Sequence, residues 1–440
     1  MTTALTADRN LLRPIAELLA EARARTMFLV APLSDEDLHT QHDSLMSPIL
    51  WDLGHIAHFE ELWLTRNLDG PIEFVEMPGM YNPFEYPRSA RGALPLPALD
   101  QCRTIMDEIR SRVLDRLEAT ALDDANPLLR EGYVYRMVLQ HEYQHNETIL
   151  QTLQLKLGDP YSPPGRFDLP SAPTGGTAAG EMVRFPGGTV EIGTDDRSAA
   201  YDNERPRHRV EVRPFSIDVN PVSNGEFLAF MAAGGYERPE YWSEAGRRWL
   251  AESGARSPAY WFTSEGRWMT RTMDRTGPVD PSHPVSHVCW YEAEAFARFT
   301  GKRLPTEVEW ETAASWDPAT GRKHLFPWGD EPATHQLANL DQLGFGTAPV
   351  GTYPRNVSPI GCRGMIGDVW EWTASDFRPW PGFEAFPYRE YSEVFFGDDY
   401  KVLRGGSWAT RPGAVRNTFR NWDYPLRRQI FSGFRCARDA

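Results

Sequence analysis

The sequence predicts a multidomain protein of α and α+β class: an N-terminal four-helix bundle followed by an irregular α+β domain. Three observations predict it. Up to about residue 158, apolar residues recur at i, i+3/i+4 and i+7 in four separate stretches, which is the helical period. Residues 159–180, DPYSPPGRFDLPSAPTGGTAAG, are rich in Pro, Gly and Ser and read as a linker. Beyond them, short segments are punctuated by Gly, Pro, Asn and Asp, and most of the 15 tryptophans fall there. The expected organisation is a helical domain over 1–158, a linker over 159–180 and a second domain over 181–440. A chain of 440 residues has room for two or three substantial cores.

The helical stretches are ADRNLLRPIAELLAEARARTMFLV, PILWDLGHIAHFEELWLTRNL, LPALDQCRTIMDEIRSRVLDRLEAT and GYVYRMVLQHEYQHNETILQTLQLKLG. The gap between the second and third, PIEFVEMPGMYNPFEYPRSARGALPLP, is a long connection able to lie across the mouth of a bundle. Bundles build metal sites from side chains that project inward from facing helices. In the second half, VRFPGGTVEIG, HRVEVRPFSIDVNPV and YKVLRGGSW read as strands, whereas NGEFLAFMAAGGY and WYEAEAFARFTG read as short helices. Loop side chains on such a scaffold are the expected site builders.

Hydrophobic residues at 41% and charged residues at 24% describe an ordinary globular protein. The net charge of −15 argues against nucleic acid or an anionic membrane as partner, since both repel an acidic surface. Cys102, Cys289, Cys362 and Cys436 are scattered, with no CxxC, and read as reduced thiols of a cytoplasmic protein. No apolar stretch approaches the roughly 18 residues of a membrane span, and the N-terminus lacks the apolar core of an export signal.

His141 and His145 are separated by about one helical turn, which sets their Cβ atoms roughly 5–6 Å apart on one face. The apolar stripe of Val134, Val138, Ile149 and Leu153 runs close in phase with them, so both imidazoles point inward. A buried neutral imidazole needs a partner, and a metal ion is one candidate; a hydrogen bond within the core is another. The string HEYQH also spells the HExxH of zinc hydrolases, with Glu142 as general base. A third ligand is available from WDLGHIAHFEELW, where Trp51, His55, His58 and Leu62 share a stripe, and either His55 or His58 satisfies the period. Glu147 lies roughly 200° around the helix from His145, and Glu142 about 100° from His141, so neither carboxylate faces the same ion. Glu147 is expected to be exposed or to support the ligands, and Glu142 to act only through water. Three neutral imidazoles with open positions suit zinc or ferrous iron alike.

The second half carries NPVSNGEFLAFMAAGGY, RLPTEVEWE, FPWGDE, GDVWEWT, LRGGSW and the terminal GFRCARD, in that order over some 250 residues. Together these resemble the formylglycine-generating-enzyme (sulfatase-modifying factor) domain, a C-type-lectin-like fold. Joined to a DinB-like helical bundle with HxxxHxE, nearly the whole chain resembles the sulfoxide synthases of ergothioneine biosynthesis. The resemblance implies a mononuclear non-haem Fe(II) enzyme that uses O2 to couple the imidazole C2 of hercynine to a cysteinyl thiol, giving a sulfoxide. It implies iron ligands at His55, His141 and His145. It also implies Arg88 and Arg91 at the carboxylates of γ-glutamylcysteine, a task suited to guanidinium forks. Asp423 is implied at the donor's amino group, Asn421, Trp422 and Gln144 at the hercynine end, and Tyr388 as a catalytic proton donor, with Tyr391 one turn away able to assist. A tryptophan beside a quaternary ammonium makes sense through cation–π attraction.

One departure bears on the alternatives. After RGGS, Thr410 and Val415 stand where formylglycine-generating enzymes carry copper-binding cysteines, which argues against sulfatase activation. The tryptophans of GDVWEWT are most economically structural. Free cysteine as thiol donor and a zinc-dependent DinB-type thiol transferase are the competing activities.

Overall fold

Apolar residues one helical turn apart draw the first half of the chain into four long helices. The structure, a computed structural model, describes residues 2–70, 78–120, 122, 125–170 and 179–440. Residues 71–77 of the expected connection and 171–178 of the expected linker lie outside these. The described chain forms two compact units, Met1–Gly165 with Asp196–Ala199, and Arg166–Asp195 with Ala200–Ala440.

The first unit contains α1 (Thr2–Val30), the short α2 (Asp35–His39), α3 (Ile49–Leu64), α4 (Leu99–Ala119) and α5 (Tyr133–Gln154). Both α1 and α3 are flanked by α4 and α5, which puts α1 and α3 at opposite corners of a four-helix bundle. Ile15, Leu19, Ala22 and Leu29 of α1, Cys102, Met106, Ile109 and Val113 of α4, and Val134, Val138, Ile149 and Leu153 of α5 are all buried. Such stripes are what drive amphipathic helices together. Helix α3 differs. It is buried nearly all round, Leu62 excepted, so each of its polar side chains must find an internal partner.

Those partners organise the bundle. Arg23 of α1, Glu60 of α3, Arg110 of α4 and Glu142 of α5 form a buried quartet, one residue from each long helix. Arg23 donates to Glu60 at 2.7 Å and to Glu142 at 3.0 Å, and Arg110 reaches Glu60 at 2.5 Å and Glu142 at 3.3 Å.

The second unit runs β1 (Met182–Phe185), β2 (Gly188–Ile192), β3 (His208–Val212), β4 (Phe215–Asp218), α6 (Asn224–Ala232) and α7 (Glu244–Ser253). It continues with β5 (Trp261–Ser264), β6 (Arg267–Thr272), β7 (Arg275–Pro278), α8 (Trp290–Phe299), α9 (Glu307–Ser315), β8 (Trp316–Asp317) and β9 (Arg322–Lys323). The chain ends with β10 (Trp370–Asp376), β11 (Lys401–Arg404), β12 (Asn421–Asp423), β13 (Ser432–Gly433) and β14 (Ala437–Asp439). The sheets are small: β1-β4-β14, β12-β11-β10-β13, β5-β6-β7 and the pairs β2-β3 and β8-β9.

Five of the six motifs prove to be joints of this unit. Ser223 caps α6 and Thr306 caps α9, each in a reciprocal box with the acid three residues on. Glu311 of RLPTEVEWE takes Lys323 at 2.5 Å and Arg404 of LRGGSW at 2.6 Å. Glu371 of GDVWEWT takes Arg435 of GFRCARD at 2.6 Å and the Trp310 indole N–H at 2.7 Å. Gly405 has φ of 95°, and a Cβ there would lie 2.4 Å from the Met365 carbonyl, so no larger residue fits. Trp372 is fully buried and donates to the Val288 carbonyl, in keeping with a structural role.

Candidate metal centre

Helices α3 and α5 pack side by side, and this brings His55 opposite His141 and His145. One ligand atom from each lies within 4.8 Å of the other two. The Nε2 atoms of His55 and His141 are 3.1 Å apart, and the His145 ring centre lies 4.9 Å from that of His55 and 4.5 Å from that of His141. His58, the other residue the period allowed, is not in this group.

The surroundings set the chemistry of each ring. His55 Nδ1 donates to the Tyr81 carbonyl at 2.7 Å, and since a carbonyl only accepts, the His55 lone pair is on Nε2. His145 Nδ1 sits 3.1 Å from the Asp52 carboxylate, which likewise frees its Nε2. Trp51 stacks on His55 at 4.9 Å and Phe59 on His141 at 3.7 Å, closing the site with apolar faces. Burial above all, then the neighbouring His145 charge, holds His55 and His141 well below the ordinary imidazole range. They stay neutral, which is the form that binds metal. Three imidazoles, with a 3.1 Å separation that two nitrogens about 2.0–2.1 Å from one ion can span, fit a divalent metal.

The two neighbouring acids are placed otherwise. Glu142 is locked into the quartet and also accepts from Thr26 at 2.7 Å. Burial works against its charge, but Arg23 and Arg110 hold its carboxyl below the usual range. A carboxylate so committed is no general base, and the HEYQH reading fails on that ground. Glu147 is buried, 6% exposed, contrary to one of its two expected places. The reason is that α5 is flanked by both α1 and α3 and buries more than one face.

Of the residues implied for substrate binding, the first unit holds Arg88, Arg91 and Gln144. Arg91 is buried, its guanidinium 3.6 Å above the Trp51 ring, and it donates to Ser47 Oγ and to the Tyr86 and Pro83 carbonyls. Burial first, then the Arg88 charge, lowers it to about 10. Arg88 is exposed and donates to the Leu45 carbonyl. Gln144 is half-buried on α5.

The second unit holds the rest. Tyr388 meets Tyr391 edge to face, Tyr391 stacks on Tyr201 at 4.1 Å, and Tyr391 also presents its edge to Trp422. Trp422 stacks on Phe377 at 4.1 Å, so one of its faces is taken. Asn421, Trp422 and Asp423 form β12, in register with Leu403, Val402 and Lys401 of β11. Asp423 faces Arg427 at 3.4 Å.

Periodicity gave no hint of Asp52, Tyr81 or Gly54. Only the string WDLGH, an acid one turn before a candidate ligand, could have pointed to the first.

The chain was compared with known proteins. The Sulfatase-modifying factor enzyme 1-like domain matches residues 168–440, and the DinB superfamily matches 18–149. A hercynine oxygenase of Mycolicibacterium thermoresistibile is 45% identical over 97% of this chain and 94% of its own length. One from Mycobacterium tuberculosis is 45% identical over 96% and 97%. The chain belongs to the hercynine oxygenase family. As a member it is an enzyme, an oxygenase, with a DinB-type bundle and a C-terminal C-type-lectin-like domain. A formylglycine-generating enzyme of Thermomonospora curvata is 34% identical, but over only 62% of this chain. Unlike that relative, hercynine oxygenases match along the bundle as well, where the three histidines lie. Among the described residues no helix is long and apolar enough to cross a membrane.

Proposed function

We propose that this enzyme joins C2 of the hercynine imidazole to the thiol of γ-glutamylcysteine, with O2 as oxidant, as a step of ergothioneine biosynthesis. The convergence of three imidazoles in a chain related end to end to hercynine oxygenases carries this reading. The overall change balances as imidazole C–H plus thiol plus O2 giving the C–S bonded sulfoxide and one water. Of the four electrons O2 accepts, two come from forming the C–S bond and two from oxidising sulfur. His55, His141 and His145 would hold Fe(II), which supplies the open positions and the redox chemistry that O2 requires.

The chain's own residues do the remainder. Arg88, with Arg91 behind it, presents guanidinium donors to the donor's carboxylates. Asp423 takes the donor's ammonium, while Gln144, Asn421 and Trp422 take hercynine, with an indole suited to the trimethylammonium. Tyr388 holds a proton at its hydroxyl for delivery during oxygen reduction. The four cysteines are buried and unpaired, which supports a reducing, cytoplasmic setting.

Anaerobic purification with metal analysis, followed by turnover of hercynine with γ-glutamylcysteine or cysteine and mass spectrometry of the products, tests the proposal. Iron and an O2-dependent sulfoxide are expected, with γ-glutamylcysteine the better donor. Tight zinc and O2-independent turnover would reverse it in favour of a thiol transferase. Tyr388→Phe is expected to divert thiol and O2 toward the sulfinate, and an unchanged product ratio removes Tyr388 from this role.

A further inference from the structure

We infer that Asp52 is a positioning residue of the metal centre, which fixes the His145 tautomer and supplies the negative charge that the three neutral ligands lack. This rests on the reading of His55, His141 and His145 as metal ligands. Asp52 stands one turn before His55 on α3, so the helix that carries one ligand also holds a ligand of α5. Its Oδ1 lies 3.1 Å from His145 Nδ1. The residue is 1% exposed, and its Oδ2 is buried and meets no hydrogen-bond donor among the described residues.

A carboxylate buried on these terms is costly unless it faces positive charge. Two other deeply buried acids of this unit show one solution, since Glu60 and Glu142 each take two arginines. Asp52 takes none. The donors of Arg91 go to Ser47, Tyr86 and Pro83 instead. What Asp52 has is the imidazole of a ligand, and a divalent ion on Nε2 of that ring would place the missing positive charge there. His55 is held differently, by the neutral Tyr81 carbonyl. The ligands are therefore not equivalent, and among the described residues His145 is the ligand with a carboxylate in ion-pair distance. Such outer partners orient a ligand and raise its basicity.

Asp52→Asn keeps the side-chain size, removes the charge and can turn an amide N–H toward Nδ1, which favours the wrong tautomer. Chelator competition with the full-length chain under anaerobic conditions would measure its affinity for Fe(II) and Co(II). A loss of roughly ten- to hundredfold is expected, with altered visible absorption of the Co(II) form. Asp52→Ser should show the same loss. The metal-free variants should unfold at the wild-type temperature or above it, because a buried carboxylate with one unsatisfied oxygen has been removed. In a His145→Gln background, Asp52→Asn should add little further loss, which shows that the effect passes through His145. Co(II) affinity within twofold of wild type and an unchanged spectrum overturn the inference, as does a variant whose only defect is lower metal-free stability. Wild-type protein that binds neither metal overturns the ligand assignment itself.

Discussion

Gly54 shows how one residue decides whether a ligand is held. A Cβ at this position would lie 2.0–2.8 Å from atoms of the Tyr81 ring. With hydrogen in its place, Tyr81 lies directly on α3 and its carbonyl reaches His55 Nδ1. Gly54→Ala should raise intrinsic helix propensity by about 1 kcal/mol yet displace Tyr81 at a cost of about 1–3 kcal/mol. The expected outcome is a protein no more stable than wild type whose metal binding is weakened through His55. Unfolding midpoints together with chelator competition check both halves, and metal affinity equal to wild type refutes the link. The glycine was plain in the sequence, but nothing there told that an aromatic ring from 27 residues further on would need the space.

At the scale of elements, the four long helices and the facing of His141 and His145 were legible, because 3.6-residue periodicity survives in any amphipathic helix. Periodicity could not choose His55 over His58, since both lie on the buried α3, and only the family resemblance pointed to His55. Nor was the quartet legible: Arg23, Glu60 and Arg110 look like surface charges, and Glu142 like a candidate base, until four helices bring them together. Arg110 is the clearest test of what they do. Arg110→Met leaves Glu60 and Glu142 sharing Arg23 in a buried setting, and should destabilise the bundle by about 3–5 kcal/mol. Replacing Arg110 and Glu60 together by apolar residues should recover much of that loss. Denaturant unfolding of the three proteins measures it. A single variant within 1 kcal/mol of wild type would mean the quartet is not a paired unit.

At the scale of the whole molecule, the second unit's order in sequence is set by pairs that join distant motifs, Glu311 to Arg404 and Glu371 to Arg435. The strings read as a resemblance are thus cohesion points, while this unit's share of the residues implied for substrate sits on β12 and the loop of Tyr388. Stability against pH follows from the buried carboxyls. Burial pushes Glu311 up, but Lys323 and Arg404 more than offset it and bring it from 4.5 to about 2. Its folded value is depressed, so its contribution, about 3 kcal/mol, is complete above pH 4.5 and lost as pH falls toward 2. Asp368 runs the other way. Burial raises it from 3.8 to about 6 despite hydrogen bonds from Asn339 and the Ala348 amide. There the folded chain binds the extra proton, so stability rises as pH falls from 6 to 4. His287, pushed down by burial to about 4, opposes that rise over the same window, so differences between variants are the quantity to measure. Asp368→Asn should gain on wild type at pH 7.5, by up to about 3 kcal/mol, and lose that advantage by pH 4. Glu311→Gln should be weaker at pH 7.5, with the gap narrowing as pH falls from 4.5 to 3. Unfolding midpoints at pH 7.5, 5.5, 4 and 3 separate the two effects, and parallel curves for wild type and Asp368→Asn would show that Asp368 carries no buried charge at neutral pH.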